Sequence, residues 1–216
     1  MILPLIKIIF LRHGNTFEST DIPVQVGAKT NLPLTLKGRE QAEKVSGYLA
    51  QNRLVPDHIY TGPLLRHLET ADILASHFNV PVIQAAALNE LDYGQWEGKS
   101  VEELSSKWPD SYQAWCEQAI WPKDIFDPKQ DLFTHQLALK SWLDELAHNT
   151  EPTSTVLAIT SNGLLKILLT LIPDLALSLF EHHSFDDYKV KTGHFCVVEY
   201  DMFAKKLFIK NWNVGP

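Results

Sequence analysis

The chain has 216 residues, with 19 Lys+Arg against 26 Asp+Glu, a net charge of −7 with histidines neutral, 45% hydrophobic and 21% charged residues. That is the composition of a single globular domain, long enough to bury roughly 70% of the surface its unfolded form exposes and in no need of a disulfide or metal to hold a core. The acidic balance and the lack of a basic run exclude an ordinary nucleic-acid binder, while Cys116 and Cys196, both in apolar surroundings, read as two reduced core thiols of a cytoplasmic protein rather than a bridge or a metal site.

The first eleven residues (MILPLIKIIFL) are apolar, but no basic residues precede them, Lys7 interrupts them and Arg12-His13-Gly14 follow where a leader would need small residues. The run is also too short to span a bilayer, so Ile6 to Leu11 is expected as a buried central strand and no membrane contact is expected. A polar loop covers 14 to 30. After Thr35, the spacing of Gly38, Ala42, Val45 and Leu49, with Tyr48 beside them and Glu40, Glu43 and Lys44 outside, predicts a helix to about Asn52. His58 to Tyr60 reads as a short strand, Pro63 as the first position of a helix running from Leu64 to Phe78, and Pro81 to Ile83 as a further strand. From Glu90 to about residue 150 helical patterns dominate, and Trp108, Trp115, Trp121 and Trp142 are expected on the apolar faces of an inserted helical cap. Thr155 to Thr160 (TVLAIT) resumes as a buried strand, Ser161-Asn162-Gly163 turns into an apolar helix from Leu164 to Ile172 that Pro173 ends, and Gly193 to Tyr200 with Lys206 to Trp212 predict a hairpin. Strands separated by helices imply an α/β fold: one domain over 1–216, a three-layer α/β/α sandwich on a mostly parallel sheet, with a helical insertion at about 90–150.

Three of the strand-end turns carry polar residues: Leu11-Arg12-His13-Gly14, Thr61-Gly62-Pro63-Leu64-Leu65-Arg66 and Thr160-Ser161-Asn162-Gly163. Ligands of open α/β sheets bind beyond the carboxyl ends of the strands, so these turns have reason to converge. Two of them open helices whose free N–H groups suit an anion, and the forks of Arg12 and Arg66 suit phosphate oxygens. His13, in a turn directly after a guanidinium, is placed to attack phosphorus as a neutral imidazole, with the neighbouring cations holding its pKa down. The bland alternative is a structural histidine beside a surface arginine.

Leu11-Arg12-His13-Gly14-Asn15-Thr16 resembles the signature of the histidine phosphatase superfamily, which includes the cofactor-dependent phosphoglycerate mutases. The resemblance continues in order through Asn31-Leu32-Pro33-Leu34-Thr35 with Gly38, Gln41 and Ala42, through Gly62-Pro63-Leu64-Leu65-Arg66 with Glu69-Thr70-Ala71, and through Leu88-Asn89-Glu90-Leu91-Asp92-Tyr93-Gly94-Gln95-Trp96-Glu97-Gly98. It implies that His13 accepts a phosphoryl group, that Arg12 and Arg66 clamp its oxygens, and that Glu90 protonates the leaving oxygen, burial beside Tyr93 and Trp96 raising its pKa for that role. No metal or organic cofactor is required by that chemistry.

The family's second histidine, in a Ser/Thr-His-Gly turn, is replaced here by Asn162, which can donate to a phosphate oxygen but carries no charge. On the scale of about 1.5–3 kcal/mol for a charged hydrogen bond against about 1 for a neutral one, the exchange is expected to cost on the order of tenfold in rate. Lys189 and Lys191 either point an ammonium into the pocket or form a solvated strand end. Ser19 stands where mutases of the family usually have asparagine and still offers a hydroxyl to phosphate. Glu181, His182, His183, Asp186, Asp187 and His194 include metal-ligand types without metal-site spacing, and no metal is expected; His58, His67, His77, His135 and His148 read as surface or capping residues. The expected activity is hydrolysis of a small phosphate ester through a phosphohistidine at His13. The alternatives are a mutase, or a phospholigand-binding module impaired by Asn162; oligomeric state is not legible.

Overall fold

The computed structural model describes residues 4–123, 125–126, 131–172 and 188–216. Among them six strands form one sheet in the order β3-β2-β4-β1-β5-β6. Strands β1 (Leu5–Arg12), β2 (His58–Thr61), β3 (Val82–Gln84) and β4 (Thr155–Thr160) run parallel, and β5 (Phe195–Asp201) and β6 (Lys206–Val214) close one edge as an antiparallel hairpin. The helices are α1 (Leu36–Gln51), α2 (Leu65–Phe78), α3 (Val101–Lys107), α4 (Pro109–Gln118), α5 (Leu132–Asn149) and α6 (Asn162–Thr170).

Alternation along the strands sorts the core into two layers. Ile9 and Leu11 of β1 and Leu157 and Ile159 of β4 meet Ala42, Val45 and Leu49 of α1 and Ala71 and Leu74 of α2. On the other face Ile6, Ile8, Phe10, Val156 and Ala158 meet Leu139, Trp142, Leu143 and Leu146 of α5 and Leu164, Leu165 and Leu168 of α6. Successive side chains of a strand point to opposite faces, so a run apolar at every position demands helices on both sides.

Local chemistry marks the helix ends. The Thr35 hydroxyl accepts from the Gly38 N–H to start α1, Ser100 and Glu103 form a reciprocal cap on α3, and the Asp131 carboxylate accepts from the Thr134 N–H at the start of α5. Asn79, at φ 55°, ends α2 in the left-handed conformation that asparagine tolerates.

Three expectations need correction. Pro63 lies before α2, which begins at Leu65, because Asn31 Oδ1 accepts the Leu65 N–H and caps the helix there. Helix α5 lies against the sheet: Trp142 meets Phe10 and Tyr60 edge-on at 6.0 and 5.7 Å. Among the described residues only α3 and α4 pack away from the sheet, in a third cluster where Phe126 contacts Tyr93, Trp96, Trp115 and Trp121 at ring-centroid distances of 4.9 to 5.3 Å. Cys196 is buried and Cys116 only half-buried, so the latter is not a core thiol; both are free. Pro173 and the cluster Glu181, His182, His183, Asp186 and Asp187 lie outside the described residues. Among the described residues no helix is long and apolar enough to cross a membrane.

Candidate active site

Strands β2, β4 and β1 are neighbours, so their carboxyl ends lie side by side. The backbone continues the pairing past the strands, with the His13 N–H donating to Thr160 O (3.1 Å) and the Gly62 N–H to Ile159 O (3.0 Å). The three polar turns therefore face one cavity of about 960 Å³, lined by Arg12, His13, Ser19, Arg66, Glu90 and Asn162 among others. Every site residue expected from the sequence borders it. Ser19 is the outlier in depth, exposed at the rim, whereas His13, Arg66 and Glu90 are 6%, 1% and 6% exposed.

The His13 ring is oriented by its own turn. Nδ1 lies 2.7 Å from Gly14 O, and since a carbonyl only accepts, the proton sits on Nδ1 and Nε2 keeps its lone pair. Burial, reinforced by the neighbouring His67, Arg12 and Arg66, holds the ring well below pKa 6.5, so it is neutral near pH 7.

The two guanidinium groups are held from behind by carbonyls. Arg66 Nη1 donates to Thr30 O (2.8 Å) and Nη2 to Gly27 O (3.2 Å). That loop is fixed in turn by Glu97, which accepts from the Gly27 N–H (2.9 Å) and the Thr30 hydroxyl (2.5 Å). Arg12 Nη1 donates to Val190 O (2.6 Å), while its Nε–H is buried without a protein acceptor. A buried donor of this kind is costly unless an acceptor arrives, and a phosphate oxygen is one.

Glu90 sits at the start of α6. One carboxyl oxygen accepts from the Leu91 N–H (2.8 Å) and the other from the Gly163 N–H (3.4 Å). Burial raises its pKa above 4.5, against the pull of Arg66, those N–H bonds and Arg12. Gly163 has to be glycine, because a Cβ would run into the Glu90 carboxyl and the Tyr93 hydroxyl. Asn162 Oδ1 accepts from the Val190 N–H (2.9 Å), which leaves its NH₂ as the donor end.

The second stretch of motif residues builds the loop under His13. A Cβ on Gly14 would collide with the Gly38 backbone, and one on Gly38 with that of Asn15, so the two glycines let the turn after β1 lie on the start of α1. Gln41 then accepts from the Asn15 N–H (2.8 Å) and donates to Thr192 O (3.1 Å). Thr70 accepts from the Gly14 N–H (3.3 Å) while donating to Arg66 O (2.7 Å).

The profile of the Histidine phosphatase superfamily (branch 1) matches residues 8–214. The chain belongs to this superfamily. Its sequence is similar to phosphoserine phosphatase 1 of Hydrogenobacter thermophilus, 31% identical over 143 residues that cover 66% of this chain and 64% of that one. It is also similar to the 2,3-bisphosphoglycerate-dependent phosphoglycerate mutase of Bifidobacterium longum, 29% identical over 127 residues covering 56% of this chain and 50% of the mutase. The chain thus spans between half and two-thirds of the length of these curated relatives. The fold is similar to that of a mycobacterial glucosyl-3-phosphoglycerate phosphatase, which superposes with a TM-score of 0.75 at 19% identity, covering 97% of this chain and 99% of the other.

Of the two lysines that the sequence left between pocket and solvated strand end, both Lys189 and Lys191 border the cavity, and so does His194, whose Nδ1 lies 3.1 Å from Asn213 O. Lys166, on the apolar α6, is 3% exposed; its ammonium donates to Trp115 O (2.5 Å) and Cys116 O (3.2 Å) at the end of α4 and stands 4.7 Å from the Trp115 ring centroid. His67 is a correction: it is neither a surface nor a capping residue but fully buried against His13. Its signal was a histidine directly after an arginine, as at Arg12-His13, although here the pair lies in the first turn of α2.

Proposed function

We propose that this member of the superfamily is a phosphatase, hydrolysing a small phosphate ester in two displacements at His13. Nε2 attacks phosphorus and forms the N–P bond while the P–O bond to the leaving alcohol breaks, and the protonated Glu90 gives its proton to that oxygen. The resulting Glu90 carboxylate then takes a proton from water as the water oxygen attacks phosphorus, the N–P bond breaks and phosphate leaves. The observation that carries this reading is the 2.7 Å contact of His13 Nδ1 with Gly14 O, which assigns the proton to Nδ1 and leaves Nε2 free at a cavity also lined by Arg12 and Arg66.

Arg12, with a buried N–H awaiting an acceptor, and Arg66, with its fork braced by two carbonyls, supply positive charge to the equatorial oxygens of the transferring phosphoryl group. Asn162, standing where the resemblance puts a second histidine, adds a neutral donor that does not titrate, and Ser19 a hydroxyl at the rim. The chain works as one domain in this reading, with α3 and α4 as the cap that shapes the alcohol's side of the cavity. The substrate is a small molecule, nucleic acid and membranes are not partners, and two free thiols fit the cytoplasm.

The test is turnover of p-nitrophenyl phosphate and of a panel of sugar, nucleotide and glycerate phosphates by the wild type, His13→Ala and Asn162→His. Phosphate release that vanishes in His13→Ala supports the reading, and undiminished release in that variant overturns it. Isomerisation of 3-phosphoglycerate without phosphate release would make the protein a mutase. A silent wild type with a clear gain in Asn162→His would make it a binding module.

A further inference from the structure

His13 has a second histidine at its back. His67 is fully buried at the start of α2, its ring centroid 5.5 Å from that of His13 with the planes tilted by 45°. On its far side Nε2 lies 2.6 Å from the Ser161 hydroxyl, itself fully buried and directly before Asn162. The ring fills the space that Gly62 leaves open: a Cβ there would strike Nδ1, which has no hydrogen-bond partner. A leucine would fill the same volume without an orphaned ring nitrogen, so packing alone does not account for an imidazole here. His67 is not among the residues lining the cavity and does not meet a ligand there.

We propose that His67 is a positioning residue, which holds the His13 ring in its attacking pose and, through Ser161, joins the start of α2 to the start of α6 so that His13, Arg66, Asn162 and Glu90 keep one geometry. This rests on the reading of His13 as the nucleophile. The charged and titratable groups around the ring pair are Arg12 on β1, Arg66 on α2, and Glu90 and Tyr93 from the segment after β3. Burial and the adjacent Arg66 keep His67 itself well below pKa 6.5, so the two rings pack as neutral partners near pH 7. Taking the second ring away admits water behind His13, and a better-solvated imidazole protonates more readily.

The experiment follows the His13 ring nitrogens by NMR titration, and kcat/KM for p-nitrophenyl phosphate against pH, in the wild type, His67→Ala, His67→Gln and Ser161→Ala, with thermal melts to establish that each is folded. In His67→Ala the His13 pKa moves up toward its ordinary value, the acid limb of the profile follows it, and kcat falls between about ten- and a hundred-fold, as displacement of a nucleophile does. His67→Gln, whose amide reaches toward Ser161, recovers part of both, and Ser161→Ala shows a smaller shift in the same direction. An unchanged His13 titration and pH profile in folded His67→Ala overturns the proposal; if that variant does not fold, the same null result in His67→Gln and Ser161→Ala overturns it. Loss of turnover in His13→Ala beside an unchanged His67→Ala profile defeats only the role of His67, whereas turnover that survives His13→Ala defeats the phosphohistidine reading beneath it.

Discussion

At the floor of the cavity the reactive groups are held by the backbone: Arg66 by the carbonyls of Gly27 and Thr30, Arg12 by Val190, His13 by Gly14, and Glu90 by the N–H groups of Leu91 and Gly163. The wall built by α3 and α4 is held mainly by ring-on-ring contacts among the described residues. There Trp96, Tyr112, Trp115, Trp121 and Phe126 meet edge to face, and Lys166 ties the end of α4 to α6. Backbone hydrogen bonds are directional and fix a pose to a fraction of an ångström, while aromatic edges tolerate exchange of ring for ring. The floor is suited to a fixed geometry, and the wall to being altered.

The contrast predicts where damage shows. Removing the proposed nucleophile in His13→Ala takes kcat to background with the melting curve little changed, which a stopped assay with excess enzyme reads directly. In the proposed mechanism Glu90→Gln lowers kcat/KM, which reports phosphoryl transfer to His13, by about 10²–10⁴ for alkyl phosphates and much less for p-nitrophenyl phosphate, whose leaving group needs no proton. On the proposed roles it also removes the alkaline limb of kcat/KM, which reports the ionisation of Glu90, raised above 4.5, whereas the acid limb reports His13, held well below 6.5. Gly163→Ala pushes the Glu90 carboxyl out of place and gives the same leaving-group dependence without replacing Glu90.

At the wall, Phe126→Ala costs about 3–5 kcal/mol by denaturant titration, as removal of a buried aromatic ring does, and changes the ranking of substrates more than kcat for the smallest ester. A pronounced fall in kcat for that ester would show that wall and floor are not separable.

The smallest effect is on stability. The unfolded chain binds protons near 6.5 that buried His13 and His67 refuse, so their contribution is complete above 6.5 and declines as pH falls below it, by up to about 1.4 kcal/mol per pH unit for each ring. Glu90 has the opposite sign: its contribution is complete below 4.5 and declines as pH rises through its raised value. Melting temperature between pH 7 and pH 5 should therefore fall in the wild type and fall less in His67→Gln.

The strand runs of β1 and β4, helix α1 with its Thr35 cap, and the hairpin of β5 and β6 were legible because each is written in neighbouring residues: continuous apolar runs, three-and-four spacing, a capping hydroxyl. The turns carrying Arg12, His13, Arg66 and Asn162 were legible for the same reason, since strand-end position and side-chain chemistry are both local. Periodicity did not separate α5 from α3 and α4. An amphipathic helix shows that one face is covered and not by what, so Trp142 on the sheet and Trp115 at the cavity read alike.

Fold class, superfamily and the polar turns that meet at the carboxyl edge of the sheet thus follow from the order of residues along the chain. The burial of His67 behind His13, the bracing of Arg66 by a loop that Glu97 holds, the amide orientation of Asn162 and the tie from Lys166 to α4 do not. They join segments 28 to 94 residues apart, and no local pattern encodes which distant carbonyl or hydroxyl will complete a side chain's hydrogen bonds once both have left water.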